Sequence, residues 1–456
     1  MPDRLLPVAP RAIERLPEPV GPPAHPVRSV VVVGAGLAGA QSVAALRAQG
    51  FDGRVTLLGA EGRAPYDRPP LSKHLLDRRD PAWLTDELGV DVAALADDVR
   101  LATPATGLVV RPTGVRVATA QGEVLADAVV LASGSHSVRP PHWSGALTLH
   151  TADDAAILRD LLHPGSRLVI VGAGWIGAEV AGVAAAAGVE VTVVEAATTP
   201  LAVALGGFVG GLVAPWYAAA GVPLLAGVPA DDVRADGVRL ADGRELPADV
   251  VLVAVGARPA TAWLRTSLPR DPDGSLRVDE GYGVLGVPGH VRAVGDIARR
   301  WSARHGWVAG GHWDGALRGP ATAVRALLGA RDAPAPGTAV GSADDPAPYV
   351  FSTQLGHDLV LNGQHRPGDE VVLRGDPTGT GGWTALWFTP ELSAPTRTLA
   401  RAGSDKSVGR ELTAALAVDR PRDVAAARRL FTAAALPVLD PTVAGDPTRP
   451  LRDAAV

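Results

Sequence analysis

The chain has 456 residues, 47% hydrophobic and 20% charged, which is the composition of a globular protein with about two to four domains. Its 43 Lys and Arg residues stand against 48 Asp and Glu residues, and the formal net charge of −5 excludes a global basic field for nucleic acid. Cysteine is absent, which excludes disulfides, cysteine-ligated zinc, iron–sulfur ligation and thiol chemistry.

Residues 1–27 contain many prolines, and we expect them to form an irregular arm outside the core. This segment is charged and lacks the apolar stretch of a signal peptide. No uninterrupted apolar run in the chain reaches the roughly 18 residues that a membrane span needs. The sequence therefore predicts a cytoplasmic protein that binds neither nucleic acid nor membrane.

A strand, a glycine turn and a helix follow this arm. Ser29–Val33 predicts a strand, GAGLAG occupies 34–39, and AQSVAALRAQG predicts a helix that ends at Gly50. Arg54–Leu58 predicts a second strand. Such continuous runs of β-branched and aliphatic residues are typical of parallel strands buried on both faces, so the segment predicts a βαβ unit.

The same succession returns later in the chain. Arg167–Val171 predicts a strand, GAGWIG follows at 172–177, and a predicted helix leads to the strand Val189–Val194. Two copies of one unit, far apart in sequence, predict two dinucleotide-binding domains of the Rossmann type and not a short-period repeat array.

The other segments predict antiparallel layers. Short alternating runs at 108–131 and 233–255 indicate two small layers, and the Pro-, Ala-, Gly- and Asp-rich segment 334–348 indicates a domain boundary. Beyond that boundary, three strand-like segments and the helix-like VAAARRLFTAAAL predict an α+β domain at the C-terminal end.

Each glycine motif follows an apolar strand, opens a helix and precedes a strand near an acid, Glu61 or Glu195. In this arrangement the glycines allow a tight turn, the helix N-terminus binds a pyrophosphate, and the acid accepts hydrogen bonds from ribose hydroxyls. The structural alternative is that the glycines only pack helix against strand. Two such sites favour a flavoprotein reductase, in which FAD carries electrons that a nicotinamide delivers.

Six separated segments, in order from residue 28 onwards, resemble FAD-dependent ferredoxin reductases of the putidaredoxin, rhodocoxin and biphenyl-dioxygenase reductase type. The segments are LLGAEGRAPYDRPPLSKHLL at 57–76, VVLASGSHSVRP at 129–140, VIVGAGWIGAEVA at 169–181, VVLVAVGARPATAWL at 250–264, VRAVGDIAR at 291–299 and AVDRPRDVAAARRLF at 417–431.

The resemblance implies an α/β fold of the glutathione-reductase-like class, with two Rossmann-like domains, for FAD and NAD, and a C-terminal α+β domain. It implies that 28–150 and 271–333 form the FAD-binding domain, that 151–270 form the NAD-binding domain, and that 334–456 form the C-terminal domain.

The resemblance also implies the site residues. For FAD, these include Gly34, Gly36, Gly39 and Glu61 at the ADP half, Arg68 near the pyrophosphate, Lys73 beside the isoalloxazine ring, Asp296 at the ribityl or pyrophosphate region, and His312 and Trp313 at the pyrimidine side. For the nicotinamide dinucleotide they are Gly172, Gly174, Gly177 and Glu195. Further cofactor-binding positions are Leu37, Ala38, Ser133, Gly134, Arg139, Trp175, Ile176, Gly256 and Gly295.

Lys73 and Glu179 are the predicted catalytic residues. A cation near the flavin favours the electron-rich reduced ring, and a buried Lys needs an acidic partner. Glu179 lies just past the second glycine motif, on a helix that should face the flavin. The alternatives are that Lys73 is a surface charge in a proline-rich loop and that Asp296 is a solvated turn aspartate.

The resemblance implies a flavoprotein oxidoreductase that takes hydride from NADH onto FAD and passes electrons to a ferredoxin serving a monooxygenase. We expect NADH in preference to NADPH, because Glu195 would repel a 2′-phosphate and the segment 196–199 contains no Arg or Lys. The alternative is that an arginine from elsewhere, such as Arg234 or Arg265, folds over the site and neutralises the phosphate. We expect no metal site, and a monomer or weak dimer. The alternatives are an FAD enzyme that acts directly on a small metabolite or O2, and a non-catalytic flavin and NADH redox sensor.

The chain departs from the family pattern at three places near the expected flavin face. Gly310 and Gly311 precede His312, the segment YVFSTQL occupies 349–355, and Val203 stands where the family usually has Arg. These departures leave the electron acceptor open. Arg299, Arg300 and Arg304 are a candidate basic patch for an acidic ferredoxin, with a solvated charged loop as the alternative.

Overall fold

The structure is a computed structural model that describes residues 18, 20–143, 145–329, 345–390 and 409–456. Most of the predicted arm, and the predicted boundary at 334–348 up to residue 344, lie outside the described residues. Among the residues that are described, no helix combines the length and the apolar character needed to cross a membrane.

A five-stranded parallel sheet forms around the first glycine motif. Its strands, in spatial order, are Val291–Ala293, Ala128–Leu131, Ser29–Val33, Arg54–Leu58 and Asp98–Arg100. The helices Leu37–Ala48 and Trp313–Leu328 share one apolar core with this sheet. The valines of Ser29–Val33 are buried, as expected for a parallel strand that is covered on both faces.

A four-stranded parallel sheet forms around the second motif. Its strands, in spatial order, are Leu224–Ala226, Glu190–Glu195, Arg167–Val171 and Val250–Val253. The helices Ala152–Leu161 and Trp175–Ala186 contribute to its core. Both predicted βαβ units are therefore present, and the fold is α/β as expected.

Two three-stranded antiparallel layers occur where alternating runs predicted them, but each is shorter than predicted. The strands are Ala105–Arg111, Gly114–Thr119 and Gly122–Ala126 in one layer, and Ala230–Arg234, Gly237–Leu240 and Glu245–Pro247 in the other. Ala128–Leu131 and Val250–Val253, which the prediction placed in these layers, belong to the parallel sheets. All their residues are buried, so they lack the alternation of a half-exposed strand.

The C-terminal part forms an antiparallel sheet with strand order Tyr349–Gln354, His357–Gly363, Arg410–Val418, Trp383–Phe388 and Glu370–Arg374, and Val438–Leu439 pairs with Arg410–Val418. The predicted closing helix is present as Pro421–Leu430, so it begins three residues before the predicted segment VAAARRLFTAAAL and ends before the FTAAAL part of it.

The remaining elements complete the described chain. The helices are Pro70–Lys73, Leu84–Leu88, Val92–Leu95, Ala202–Val213, Pro215–Ala219 and Pro441–Gly445, with 3₁₀ turns at Ala262–Leu264, Gly295–Ile297 and Leu451–Ala454. The short strands are Tyr66–Asp67 with Ala82–Trp83, Ser135–Ser137 with Ala257–Pro259, and Leu276–Val278 with Ala298–Ser302 and Gly306–Val308.

The expectation of a basic patch at Arg299, Arg300 and Arg304 is wrong for two of the three residues. Arg300 and Arg304 are buried around Asp345, with the Arg300 Nη1 2.7 Å from Asp345 Oδ1 and the Arg304 Nε 3.5 Å from Asp345 Oδ2. Arg299 lies 3.2 Å from Asp271. Burial raises the pKa of Asp345, but the charge of Arg300 and its hydrogen bond outweigh that effect and the pKa is lowered. Arg300 and Arg304 therefore connect the strand Ala298–Ser302 and the turn after it to residues of the C-terminal part.

We predict that Asp345→Ala destabilises the protein by about 3 kcal/mol, because it leaves two buried guanidinium groups without their carboxylate. Asp231→Ala is the matched control, since Asp231 pairs with Arg239 on an exposed hairpin, where such a pair contributes less than about 1 kcal/mol. Urea unfolding of both variants measures the difference. Equal losses in the two variants would contradict the account of the Asp345 cluster.

Candidate functional site

A cavity of about 1130 Å³ lies where the two parallel sheets meet the C-terminal sheet, and we refer to it as the central cavity. Its volume exceeds the range of about 300–1,000 Å³ that is usual for the site of one small molecule. The turns after both glycine-motif strands open into it, because the carboxyl ends of parallel strands meet at one edge of each sheet. The predicted site residues that line it are Gly34, Gly36, Leu37, Ala38, Glu61, Arg68, Lys73, Ser133, Gly134, Gly172, Gly174, Trp175, Ile176, Glu179, Glu195, Gly256, Gly295, Asp296, His312 and Trp313.

Three predicted site residues are not in the lining: Gly39, Gly177 and Arg139. A Cβ on Gly39 would lie 1.8 Å from the carbonyl oxygen of Gly34, and one on Gly177 would lie 2.0 Å from that of Gly172. These two glycines therefore allow helix to pack on strand, which is the role of the third glycine in such motifs.

The middle glycine of each motif faces open space. A Cβ on Gly36 or on Gly174 would meet no protein atom within 4 Å, although both residues line the central cavity. The helices Leu37–Ala48 and Trp175–Ala186 start at these glycines, and no side chain caps their first N–H groups. The N–H groups of each first helical turn, and the space beside Gly36 and Gly174, fit the pyrophosphate of a dinucleotide.

Glu61 lies in a polar cluster on the first side of the central cavity. Its carboxylate accepts a hydrogen bond of 2.5 Å from the Tyr66 hydroxyl and forms a salt bridge with Arg68, which also donates to the carbonyl of His150. Burial raises the pKa of Glu61, but the charge of Arg68 and the hydrogen bonds lower it more, so the carboxylate is ionised. Burial raises the pKa of Tyr66 to about 12, which keeps its hydroxyl a donor.

Glu195 is held differently on the second side. Its carboxylate accepts the backbone N–H groups of Ala173 at 2.7 Å and Ala197 at 2.8 Å. The Arg and Lys side chains in the described lining are Arg63, Arg68 and Lys73, all from the segment after the first motif. On the second side of the central cavity, the described lining therefore offers an anion a helix N-terminus and no basic side chain.

Lys73 and Glu179 form the predicted ion pair between the two glycine turns. Lys73 Nζ lies 2.7 Å from Glu179 Oε1, and the two side chains are 15% and 4% exposed. Glu179 also accepts hydrogen bonds from the hydroxyls of Ser72 and Ser352, and the Lys73 ammonium lies 4.9 Å from the centre of the Phe351 ring. This excludes the alternative that Lys73 is a solvated surface charge.

Sequence reasoning missed three of these contacts, those of Ser72, Phe351 and Ser352. Ser72 could have been found, because it immediately precedes Lys73 on the helix Pro70–Lys73. Phe351 and Ser352 lie in the strand Tyr349–Gln354, far away in sequence, and the only signal was the segment 349–355 of the resemblance.

His312, Trp313 and Asp296 close another part of the cavity wall. Trp313 Nε1 donates to Asp67 at 2.7 Å, and Asp296 accepts from the Ser135 hydroxyl at 2.7 Å. The Nδ1 atom of His312 is buried and has no hydrogen-bond partner among the described residues, and burial lowers the pKa of this imidazole. A neutral ring with an unused polar atom beside the cavity fits a heteroaromatic ligand with polar ring atoms.

One of the departures, the Gly310–Gly311 pair, has a geometric explanation. A Cβ on Gly310 would lie 2.4 Å from the carbonyl oxygen of Asp296, and Gly311 has φ of +94°, a conformation that favours glycine. The Gly-Gly pair therefore brings the chain close to Asp296. Val203 lies at the rim of the central cavity with its surface fully exposed.

This chain is similar to proteins of a known family. The model of the pyridine nucleotide-disulphide oxidoreductase family matches residues 28–326. The chain is 31% identical over 440 residues to the benzene 1,2-dioxygenase system ferredoxin–NAD(+) reductase subunit of Pseudomonas putida, and the match covers 93% of this chain and 97% of that protein.

Solved structures agree with this match. The crystal structure of Fdr9 superposes with a TM-score of 0.79 at 37% identity, covering 93% of this chain and 99% of that one. The putidaredoxin reductase chain of a covalent putidaredoxin reductase–putidaredoxin complex gives a TM-score of 0.79 at 25% identity, covering 94% and 98% of the two chains.

We predict that Lys73→Met destabilises the protein by about 3 kcal/mol, because it leaves the buried carboxylate of Glu179 without its cation. The double variant Lys73→Met with Glu179→Gln should recover most of that loss. The free energies of unfolding of the four proteins in this double-mutant cycle measure the coupling. Additive losses would show that the two charges do not depend on each other.

Proposed function

Because the chain belongs to the pyridine nucleotide-disulphide oxidoreductase family, we propose that it is an FAD-containing, NADH-dependent reductase that passes electrons to a ferredoxin. Family membership makes it an oxidoreductase that uses a flavin and a pyridine nucleotide. The observation that carries the more specific proposal is the central cavity, in which two glycine turns flank one buried Lys–Glu pair.

The first turn is the proposed FAD site, and the second is the proposed nicotinamide site. Gly34, Gly36 and Glu61 would hold the ADP half of FAD, and Asp296 the ribityl or pyrophosphate region. We propose the corresponding domains as 28–150 with 271–333 for FAD, 151–270 for NAD and 334–456 for the C-terminal domain. A cytoplasmic location is proposed because the electron donor is NADH.

Bound FAD would accept two electrons from a nicotinamide and release them one at a time. In this proposal the Lys73 ammonium would lie beside the flavin and would favour the ring after it has gained electrons. Glu179 neutralises that ammonium and fixes its direction, at 2.7 Å. The Glu195 carboxylate, held by two backbone N–H groups, positions the ribose of the second dinucleotide.

A ferredoxin is the proposed acceptor, since the similar protein of Pseudomonas putida is named a ferredoxin–NAD(+) reductase subunit and a similar solved chain is bound to putidaredoxin. We propose that the ferredoxin in turn serves a monooxygenase. Steady-state reduction of cytochrome c by NADH, with and without an added [2Fe–2S] ferredoxin, tests this. We expect the rate to rise at least about tenfold with the ferredoxin. A high rate that is independent of the ferredoxin would indicate a direct acceptor, and slow flavin reduction with a long-lived charge-transfer band would indicate a redox sensor.

Substitutions at the middle glycines of the two motifs should each impair the binding of a different cofactor. We predict that Gly36→Val yields a folded, colourless chain. Valine fits the extended backbone at this position, and its side chain would occupy the space in which the pyrophosphate of FAD would lie. Gly174→Val should stay yellow with one FAD per chain and lose NADH affinity at least about tenfold. Absorbance of the purified proteins and NADH titration measure both effects. Bound FAD in Gly36→Val at the wild-type level would contradict the assignment.

NADH should be preferred over NADPH by about a hundredfold in kcat/KM, because a 2′-phosphate would meet the Glu195 carboxylate without a neutralising cation. Arg234, a candidate for that cation, is held by Asp232 and Glu245 instead. Steady-state kinetics with both nucleotides measure the ratio of the two kcat/KM values, and Glu195→Gln should bring this ratio closer to one. Equal kcat/KM values for the two nucleotides would show that Glu195 does not set the specificity.

A further inference from the structure

We propose that Ser352 is a positioning residue for electron transfer, which fixes the Glu179 carboxylate and through it the Lys73 ammonium. This inference rests on the proposed function, in that it takes Lys73 to face the flavin. It concerns the C-terminal strand Tyr349–Gln354, which lies outside both glycine-motif units.

Glu179 receives three donors from two separate parts of the chain, the helix Pro70–Lys73 and the strand Tyr349–Gln354. Oε1 accepts from Lys73 Nζ and from the Ser352 hydroxyl, and Oε2 accepts from the Ser72 hydroxyl. Glu179 itself is only 3% exposed. A carboxylate that is out of water needs each of its donors, because an unmade hydrogen bond to a buried charge is not replaced by solvent.

The direction of the Ser352 hydroxyl is set by a second residue of the same strand. Gln354 Nε2 donates to Ser352 Oγ at 2.9 Å, and both residues are buried. A serine hydroxyl has one proton to donate. Since its oxygen accepts from Gln354, the proton is left to point at Glu179.

Consecutive residues of this strand contact the two members of the ion pair. The Phe351 ring faces the Lys73 ammonium at 4.9 Å, and Ser352 binds Glu179. The strand can approach this closely because Gly182 lies one turn after Glu179, where a Cβ would be 2.7 Å from the backbone nitrogen of Leu355. The C-terminal strand therefore holds both charges in place.

The neighbouring hydroxyl provides a matched control. Thr353 lies on the other face of the strand, is exposed, and donates to Asp358 at 2.8 Å on the adjacent strand His357–Gly363. Removing the Thr353 hydroxyl changes the same strand by the same chemical group without touching Glu179. A general loosening of the strand would affect both variants, whereas a positioning role would affect only Ser352.

The test uses the full FAD-loaded chain and the variants Ser352→Ala, Ser352→Thr, Ser352→Val and Thr353→Ala. Stopped-flow reduction by NADH gives the limiting rate and the NADH Kd, and anaerobic dye titration gives the midpoint potential of bound FAD. We expect Ser352→Ala to lower the limiting rate about tenfold, which is the effect of one hydrogen bond to a charged group. Its Kd should stay within about twofold, because the hydroxyl does not contact the nucleotide site.

The midpoint potential of Ser352→Ala should become more negative, because a less firmly held cation stabilises reduced flavin less. Ser352→Thr and Thr353→Ala should retain the wild-type rate and potential. Thr and Val have the same shape, so the Thr–Val pair isolates the hydroxyl even if Ser352→Ala does not fold. Equal rates and potentials for Ser352→Thr and Ser352→Val would overturn the inference. If NADH does not reduce the wild-type flavin, the proposed function fails instead.

Discussion

Taking an ion out of water costs several kcal/mol. The Glu179 carboxylate, on a side chain that is 4% exposed, offsets this cost through two hydroxyl donors and one cation. Those donors come from the short helix Pro70–Lys73 and from the C-terminal strand Tyr349–Gln354, while Glu179 lies on the helix of the second motif. The ion pair is satisfied only when all three parts of the chain are assembled. The arrangement of the cavity wall between the glycine turns therefore depends on the contacts of the Glu179 carboxylate.

The charged groups of the central cavity are distributed unequally between the two proposed cofactor sites. The basic side chains of the described lining, Arg63, Arg68 and Lys73, come from the segment after the first motif, which is the proposed FAD side. On the second side a helix N-terminus and the carboxylate of Glu195 are the polar features. In the proposed function, the basic side chains help to retain FAD, which stays bound. The nicotinamide must leave after each turnover, and its proposed site has no basic side chain in the described lining.

Both βαβ units and the Lys73–Glu179 pair could be predicted from the sequence, because their signals are local: apolar strand runs, glycine spacing, and a resemblance that covers both residues. The buried runs Ala128–Leu131 and Val250–Val253 were assigned to the wrong layer, since a four-residue apolar run has no periodicity that distinguishes the two kinds of sheet. Arg300 and Arg304 were misassigned for a different reason. Their partner Asp345 is distant in sequence, and charge alone does not reveal burial.

The central claim is that the two glycine turns of one chain bring a nicotinamide and a flavin to the same Lys–Glu pair. Anaerobic titration of the FAD-loaded chain with NADH, followed in the visible flavin band, tests it most directly. We expect complete bleaching of the band at one NADH per chain, and slower bleaching in Lys73→Met. A band that persists in the presence of excess NADH, with FAD still bound, would contradict the account.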